Sequence, residues 1–120
     1  SIGEENVGEP PLAAQKSYLA ARLAWREGLQ YDAIKKLHDA RRVAPRDAAI
    51  YRSLGRIYGM QGNKDQSLRY FERASALEPE DPYTLFMLAR LELDRDELDA
   101  AIALMSSVVA QAEDTPPADP

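Results

Sequence analysis

The sequence contains no cysteine, which excludes disulfide bonds and thiol chemistry. Histidine occurs once, as His38, so a metal site or a catalytic pair built on histidines has no second member. A phosphate-binding glycine loop is absent too, and the serines have no histidine base in a recognisable arrangement. We therefore expect no enzymatic activity, no cofactor and no metal site.

Long apolar runs are also missing. No stretch approaches the ~20 apolar residues that a membrane-spanning helix needs, and no basic-then-apolar leader is present. We expect no direct insertion into a membrane. Four acidic residues crowd positions 94–99, but they lack the ligand spacing and the glycine of a calcium-binding loop, so adventitious cation binding is the most that we expect there.

What the sequence does contain is a repeat with a period of about 34 residues, found three times without a gap. Small residues, large apolar residues and prolines recur at this spacing: Ala33, Ser67 and Ala101; Leu37, Phe71 and Met105; Ala40, Ala74 and Val108; Pro45 and Pro79. A single helix pair cannot bury its apolar face alone, so a fixed period of this length indicates a stack of repeated helix pairs. The pattern predicts a binding scaffold and does not name what is bound.

The recurring residues resemble the tetratricopeptide repeat, whose pattern is nearly complete in the middle unit. There the matching residues are Tyr51, Leu54, Gly55, Tyr58, Gly62, Ser67, Phe71, Ala74 and Pro79. The first unit departs from the pattern at Ser17 and Ala24, where an aromatic residue is usual. The third unit departs at Glu92, Asp96 and Glu113. The resemblance covers about 100 of the 120 residues and implies an all-α, right-handed superhelical solenoid of three antiparallel helix pairs.

The expected domain is a three-repeat unit over 12–112, with repeats at 14–47, 48–81 and 82–115. Apolar periodicity and turn residues predict six helices, at 12–27, 31–43, 48–61, 65–77, 82–94 and 97–112. Asp47 and Asp81 are predicted N-caps, since each precedes a helical pattern. Glutamate, glycine and proline predict flexible tails over 1–11 and 113–120.

The resemblance implies that one face of the first helix of each repeat lines a concave groove. Positions that share this face include Tyr18, Arg22, Trp25, Arg26, Arg52, Arg56, Tyr83, Phe86 and Arg90. Arg22, Arg56 and Arg90 occupy the same position in all three repeats, so we expect a ladder of guanidinium groups. Guanidinium groups suit carboxylates because they donate two parallel hydrogen bonds and stay charged. The aromatic residues would anchor apolar side chains between the rungs. The pattern therefore predicts a groove for an extended acidic segment.

Plainer interpretations of these residues stand beside that prediction. Exposed arginines on a helical solenoid are often solvated, or they pair with nearby acids, of which Glu27, Glu92 and Asp94 are candidates here. Duplication of one ancestral unit would also place an arginine at the same position of all three repeats. Trp25 and Phe86 are alternatively part of the core.

One specific function of the resembled family is not expected. Its members that hold the C-termini of heat-shock chaperones use a clamp of Lys, Asn, Asn, Lys and Arg. The matching positions of this sequence hold Tyr18, Arg22, Ser53, Tyr83 and Met87. Only the second of these residue types could bind a carboxylate, and it is not the one that the clamp uses.

The last predicted helix lacks the charged outer face of its counterparts, since no charge occurs between Asp99 and Glu113. A helix that is apolar nearly all round requires cover on more than one side. A second copy of this chain, a partner protein or a further segment of chain could supply this cover, and of these we expect self-association, through Ala103, Leu104, Val108 and Val109. A closed two-fold homodimer is the default form, because isologous contacts are the commonest. Alternatively, an alanine-rich helix simply tolerates exposure.

Charge is graded along the repeats. Residues 14–47 carry eight Lys/Arg and four Asp/Glu (+4), residues 48–81 carry five of each, and residues 82–115 carry two and seven (−5). Such a gradient could steer head-to-tail stacking or orient an approaching partner. Nucleic acid is not expected, because the net charge is −5 and no recognition motif accompanies the basic residues.

Two classes of function follow. The first is a non-enzymatic adaptor that binds a protein or an extended acidic peptide in its groove. The second is a structural module that assembles through the last helix, with the groove incidental. The composition is compatible with a bacterial protein, where such repeats occur in cytoplasmic adaptors and in envelope- or pilus-assembly proteins, and both compartments stay open.

Overall fold

The computed structural model describes residues 11–114, and within that range the chain forms six α-helices and no strand. The helices are α1 (Leu12–Arg26), α2 (Gln30–Val43), α3 (Ala48–Met60), α4 (Lys64–Leu77), α5 (Pro82–Asp94) and α6 (Leu98–Asp114). The predicted bounds differ from these by at most two residues. The predicted tails fall mainly on 1–10 and 115–120, which lie outside the described residues, while α6 continues two residues past the predicted end.

The helices form three antiparallel pairs, α1 with α2, α3 with α4 and α5 with α6, stacked as a right-handed solenoid. The turn inside each pair reverses the chain through one residue with positive φ. These residues are Gly28 (79°), Gly62 (81°) and Asp96 (59°), which occupy the same position in the three repeats. Glycine adopts this left-handed conformation without steric cost, and aspartate tolerates it better than most side chains. The same turn therefore serves all three repeats despite the change of residue.

Side-chain caps fix where the second and third pairs begin, as predicted. The Asp47 carboxylate accepts a hydrogen bond from the Ala49 backbone N–H at 3.1 Å, and the Asp81 carboxylate accepts one from Thr84 N–H at 2.9 Å. Pro82 occupies the first turn of α5, where its missing N–H costs nothing. Between the first two repeats, the Tyr51 hydroxyl donates to the Pro45 carbonyl oxygen at 2.6 Å. These contacts hold the turns between repeats in place.

Two apolar clusters hold the pairs together. The larger joins the first two repeats and contains Ala21, Leu37, Ile50, Leu54 and Ala74 among its buried members. The smaller joins the last two repeats through Leu68, Phe71, Leu88 and Leu91, with Met87 and Leu104 packed against it. The molecule is thus built from similar junctions placed side by side, and its first helices present a shared surface.

Candidate functional site

Two adjoining depressions lie along the first helices of the repeats, and we call them together the groove. The first, of about 460 Å³, is lined by Tyr18, Ala21, Arg22, Trp25, Arg26, Leu37, Ser53, Arg56 and Ile57. The second, of about 480 Å³, is lined by Arg56, Gly59, Met60, Lys64, Ser67, Tyr83, Phe86, Met87, Arg90, Leu91 and Asp94. Eight of the nine predicted groove residues line one or other depression, and Arg52 does not.

The three arginines in register all reach the groove. Arg22 lines the first depression, Arg90 lines the second, and Arg56 lines both. All three residues are exposed. Within residues 11–114 no ion pair engages any of them. Three guanidinium groups therefore stand along one surface, and no described carboxylate neutralises them.

The acids that were candidate partners for these arginines are engaged elsewhere or unpaired. The Asp94 carboxylate lies 3.4 Å from the Lys64 ammonium, and the Glu92 carboxylate lies 3.8 Å from the Arg95 guanidinium. Glu27 makes no ion pair within the described residues. The interpretation in which local acids neutralise the ladder is therefore wrong for these residues.

Arg52 differs from the other predicted groove residues. Its guanidinium lies 2.7 Å from the Glu78 carboxylate and 4.0 Å from the Asp81 carboxylate, and the side chain is mostly covered. Glu78 and Asp81 belong to the turn that leads from α4 into α5. Arg52 therefore ties α3 to the turn that precedes α5 and is not a free donor at the groove surface.

Aromatic side chains line both depressions together with the arginines. Tyr18 and Trp25 are half-buried in the first depression and pack against the larger cluster. Phe86 is exposed in the second, with the Arg90 guanidinium carbon 6.0 Å from its ring centroid. The Tyr83 ring meets the Phe71 ring edge to face, with centroids 6.1 Å apart. Trp25 is thus partly core, whereas Phe86 offers an open apolar face beside a cation.

The charge of the groove is strongly one-sided in its first half. Arg22, Arg26 and Arg56 line the first depression, and no acidic residue is among its lining residues. In the second half, the one lining acid is Asp94, which pairs with Lys64. A depression with cationic walls and an apolar floor concentrates anionic ligands at its surface. The arginine side chains of such a surface can donate hydrogen bonds to carboxylate groups.

Lys64 and Ser53 are two of the lining residues that the sequence-based prediction did not place in the groove. Lys64 opens α4, and the prediction considered only the first helix of each repeat. Ser53 was considered only for the chaperone clamp; its hydroxyl oxygen lies 3.4 Å from the Tyr18 hydroxyl, across two helices. The signal for Lys64 was its place next to the repeat turn. The Ser53 contact joins residues 35 apart and has no local sequence signal.

The residues predicted for self-association do not form one face of α6. Leu104 is half-buried against the cluster of Leu68 and Phe71, and Val108 is also half-buried. Ala103 and Val109 are exposed, but Val109 belongs to a separate apolar depression of about 410 Å³. That depression is lined by Leu93, Ala101, Ile102, Met105, Ser106, Val109, Ala110 and Glu113. The open apolar face of α6 therefore lies on a different side of the helix from the expected one and is formed by Ile102, Met105 and Val109.

His38 lies in an aromatic cluster with Tyr58 and Tyr70. Its Nε2 atom is 3.2 Å from the Tyr58 hydroxyl, and its ring meets the Tyr70 ring with centroids 5.9 Å apart. Burial lowers the pKa of His38, and the neighbouring Arg41 and Arg42 lower it further against an opposing effect of Asp39. The neutral ring is favoured, and its role is packing.

The described residues offer no other site of the classes considered. Among residues 11–114, no group of three or more His, Asp or Glu side chains lies close enough to hold a metal ion. In the same part of the chain, no helix has the length and apolar character needed to cross a bilayer. The groove and the apolar face of α6 are thus the surfaces that invite a functional interpretation.

Similar proteins of known sequence are much longer than this chain. Superkiller protein 3 of Schizosaccharomyces pombe is 34% identical over 80 residues, which is 67% of this chain and 6% of that protein. Superkiller complex protein 3 of Homo sapiens is 32% identical over 106 residues, or 82% of this chain and 7% of that protein. The chain therefore spans only a small part of these relatives.

Solved structures share the fold at low sequence identity. The MamA protein superposes with a TM-score of 0.77 at 17% identity, covering 90% of this chain and 61% of that one. The Yersinia enterocolitica type III secretion chaperone SycD, in complex with a peptide of the translocator YopD, gives 0.75 at 19%, covering 85% and 78%. The second TPR of Spaghetti (RPAP3), bound to the HSP90 peptide SRMEEVD, gives 0.75 at 12%, covering 82% and 92%.

A family model matches half of the chain directly. The model described as tetratricopeptide repeat matches residues 60–119, which include all of α4 and the third repeat. The remaining half has the same residue pattern and the same turn, in register with the matched half. This chain belongs to the tetratricopeptide repeat family.

Proposed function

We propose that this chain is a non-enzymatic adaptor that binds an extended acidic segment of a partner protein in its groove. The observation that carries the proposal is the run of Arg22, Arg56 and Arg90 along two adjoining depressions, exposed and without an ion pair among the described residues. Guanidinium groups left unpaired along an apolar surface favour a ligand that brings carboxylates to them.

The geometry of stacked helices supports an extended ligand. Packed helices lie about 8–10 Å apart, so equivalent residues on successive first helices recur at about that distance. An extended chain in the polyproline II conformation advances about 3.1 Å per residue with three residues per turn, so every third residue shares one face and would meet the next arginine. Residues between the acids would then turn toward Trp25, Tyr83 and Phe86, which are at least partly accessible.

The comparisons favour a peptide ligand in general terms. SycD has been solved with a peptide of YopD, and the RPAP3 domain with the acidic peptide SRMEEVD. They share the fold of this chain at 19% and 12% identity, so the likeness supports the mode of binding and not the identity of the ligand. The clamp positions of the chaperone-binding members hold different residues here, so an internal acidic segment fits better than a chain terminus.

The decisive residue is Arg56, because it lines both depressions. The probe is a fluorescein-labelled peptide with Glu at every third position and Leu or Phe between, compared with a peptide that has Gln in place of each Glu. A hydrogen bond to a charged group contributes about 1.5–3 kcal/mol, so Arg56→Ala should weaken binding by about tenfold or more in fluorescence anisotropy.

Arg69→Ala is the matched control. Arg69 is an exposed arginine on α4 that lines neither depression, and removing it changes the net charge by the same amount. We expect the affinity of Arg69→Ala to stay within about twofold of the wild type, since screening weakens charges that are not in contact. Equal losses in both variants, or equal binding of the Glu and Gln peptides, would refute the groove as an acidic-segment site.

A further inference from the structure

The two ends of the solenoid expose residues whose counterparts inside it are buried. On α6, Ile102 is 54% exposed and Met105 is 37% exposed. Their counterparts in the preceding repeat, Leu68 and Phe71, are 6% and 0% exposed because the third repeat covers them. The open face of α6 is therefore the face that a following helix pair would cover.

The opposite end shows the complementary half of the same junction. Leu23 on α1 is 57% exposed, whereas its counterparts Ile57 and Leu91 are each 6% exposed. Leu91 packs in the cluster that contains Leu68 and Phe71 of the preceding repeat. Leu23 thus occupies the position that reaches back onto a preceding α6-like helix. The open faces of α6 and α1 therefore carry the same repeat positions as the two sides of a buried junction between repeats.

Charge favours contact between unlike ends. The first repeat (14–47) carries eight basic and four acidic residues, and the third (82–115) carries two and seven. A two-fold contact through α6 would bring two such acidic repeats together, at a net −5 each, and like charges oppose association. A contact between α6 of one copy and α1 of the next brings a third repeat, with a net charge of −5, against a first repeat, with a net charge of +4.

We propose that copies of this chain stack head to tail, with the α6 face of one (Ile102, Met105, Val109) seated on the α1 face of the next (Leu19, Leu23). This goes beyond the proposed function, because the groove residues take no part in the contact. The arrangement is heterologous and does not close on itself, so it extends into a row of copies as concentration rises. It replaces the two-fold dimer expected from the sequence.

Blocking each end separately tests the proposal. Leu23→Glu places a charge on the α1 face, and Ile102→Glu places one on the α6 face, so each variant should lose one of the two contact surfaces. Both side chains are more than half exposed, so the fold should tolerate either change. In sedimentation velocity at low salt, the wild type should exceed the mass of two copies as concentration rises. Each variant alone should stay at the 13.4 kDa of one chain. An equimolar mixture should form a two-copy species and nothing larger, because one intact face of each kind remains.

Tyr31→Asp is the control for an exposed apolar residue outside both faces. The matching positions of the other repeats hold Asp65 and Asp99, so an aspartate fits this position, and association should equal that of the wild type. Circular dichroism checks that every variant keeps its helices. A wild type that stays monomeric at all concentrations, a Leu23→Glu variant that still dimerises, or a mixture without the two-copy species would each overturn the proposal.

Discussion

At the scale of the residue, the pairing of Gly55 with Phe71 shows how the repeats tolerate variation. A Cβ at Gly55 would lie 2.7 Å from the ring of Phe71, which is fully buried. The other repeats have alanine at the glycine position and a smaller or more flexible residue opposite: Ala21 with Leu37, and Ala89 with Met105. The distance between the two helices of each repeat therefore depends on the combined size of these two side chains.

This coupling predicts the effect of Gly55→Ala. Overpacking a filled core costs about 1–3 kcal/mol, and the better helix propensity of alanine returns about 1 kcal/mol. We expect the steric contact with Phe71 to outweigh the propensity gain, so that Gly55→Ala lowers the free energy of unfolding by up to about 2 kcal/mol in urea denaturation. In a Phe71→Leu background the same change should be neutral or stabilising, since Ala21 and Leu37 coexist in the first repeat.

Gly59→Ala is the control on the same helix. A Cβ at Gly59 would meet only the Ser67 side chain, at 3.1 Å from the hydroxyl oxygen. The free energy of unfolding of Gly59→Ala should therefore stay within about 1 kcal/mol of the wild-type value. Additive costs for Gly55→Ala and Phe71→Leu would show that the two positions are not coupled and would contradict the packing explanation.

The same scale shows what sequence could and could not predict about the groove. Arg22, Arg56 and Arg90 were predicted because they hold the same position in all three repeats, which the resemblance to the tetratricopeptide repeat places in the groove, and the structure brings them to adjoining depressions. Arg52 is unavailable to a ligand because it pairs with Glu78, and this pair depends on a turn that brings together residues 26 positions apart. No local pattern encodes that distance, so the sequence could not separate Arg52 from the free arginines.

At the scale of the element, the start of α5 depends on one carboxylate. Asp81 accepts hydrogen bonds from the N–H and the hydroxyl of Thr84, and the Arg52 guanidinium lies 4.0 Å away. Burial alone would raise the pKa of Asp81, but the hydrogen bonds from Thr84 and the charge of Arg52 hold it below its usual value. The charged form therefore stabilises the folded state.

Removing this cap should weaken the third repeat in a pH-dependent way. An N-cap contributes about 0.5–2 kcal/mol, so Asp81→Ala should lower the free energy of unfolding by about 1 kcal/mol at pH 7. Because the folded pKa is below the unfolded one, the contribution is present above about pH 4 and is lost as pH falls through the folded pKa. Urea titrations at pH 7 and pH 3 measure the difference.

Asp81→Asn separates the cap from the charge. Asparagine keeps the hydrogen-bond acceptor and is a good N-cap, but it does not titrate. Its free energy of unfolding should exceed that of Asp81→Ala at pH 7, and the gap between these two variants should not depend on pH. An Asp81→Ala cost that stays the same at pH 3 would contradict the assigned role of the carboxylate.

Helices were predicted more accurately than their exposed faces. The turn residues and caps of α3 and α5 are local signals, and the predicted bounds follow them. The face of α6 was misassigned at Leu104 because the absence of charge left all sides of the helix alike in sequence. Packing against Leu68 and Phe71 decides which side is covered, and that depends on the neighbouring repeat.

At the scale of the whole molecule, burial falls off toward α6. The middle repeat is covered on both sides, and α4 buries Ser67, Leu68, Tyr70, Phe71 and Ala74. Over 98–113, the part of α6 whose side chains the structure describes, Ala101 alone is buried. Stability in a repeat array is a sum of repeat and junction terms, so a repeat with one junction opens more readily than a repeat with two.

Native-state hydrogen exchange should follow this order. Amides of α6 should exchange through local opening at a lower free energy than those of α3 and α4, which should open only with the whole molecule. The measurement is made at a low protein concentration, where contacts between copies do not protect α6. The same protection in α6 and α4 would indicate that the solenoid unfolds as a single unit.

The position of Arg56 has a consequence for the length of a ligand. One guanidinium serves both halves of the groove, so two short fragments lodged on either side would compete for it. In the proposed complex, a continuous segment would use that group once, at its midpoint, and would engage Arg22 and Arg90 on the flanks. If an acidic segment binds as proposed, the groove would therefore favour one uninterrupted segment over separate pieces with the same total charge.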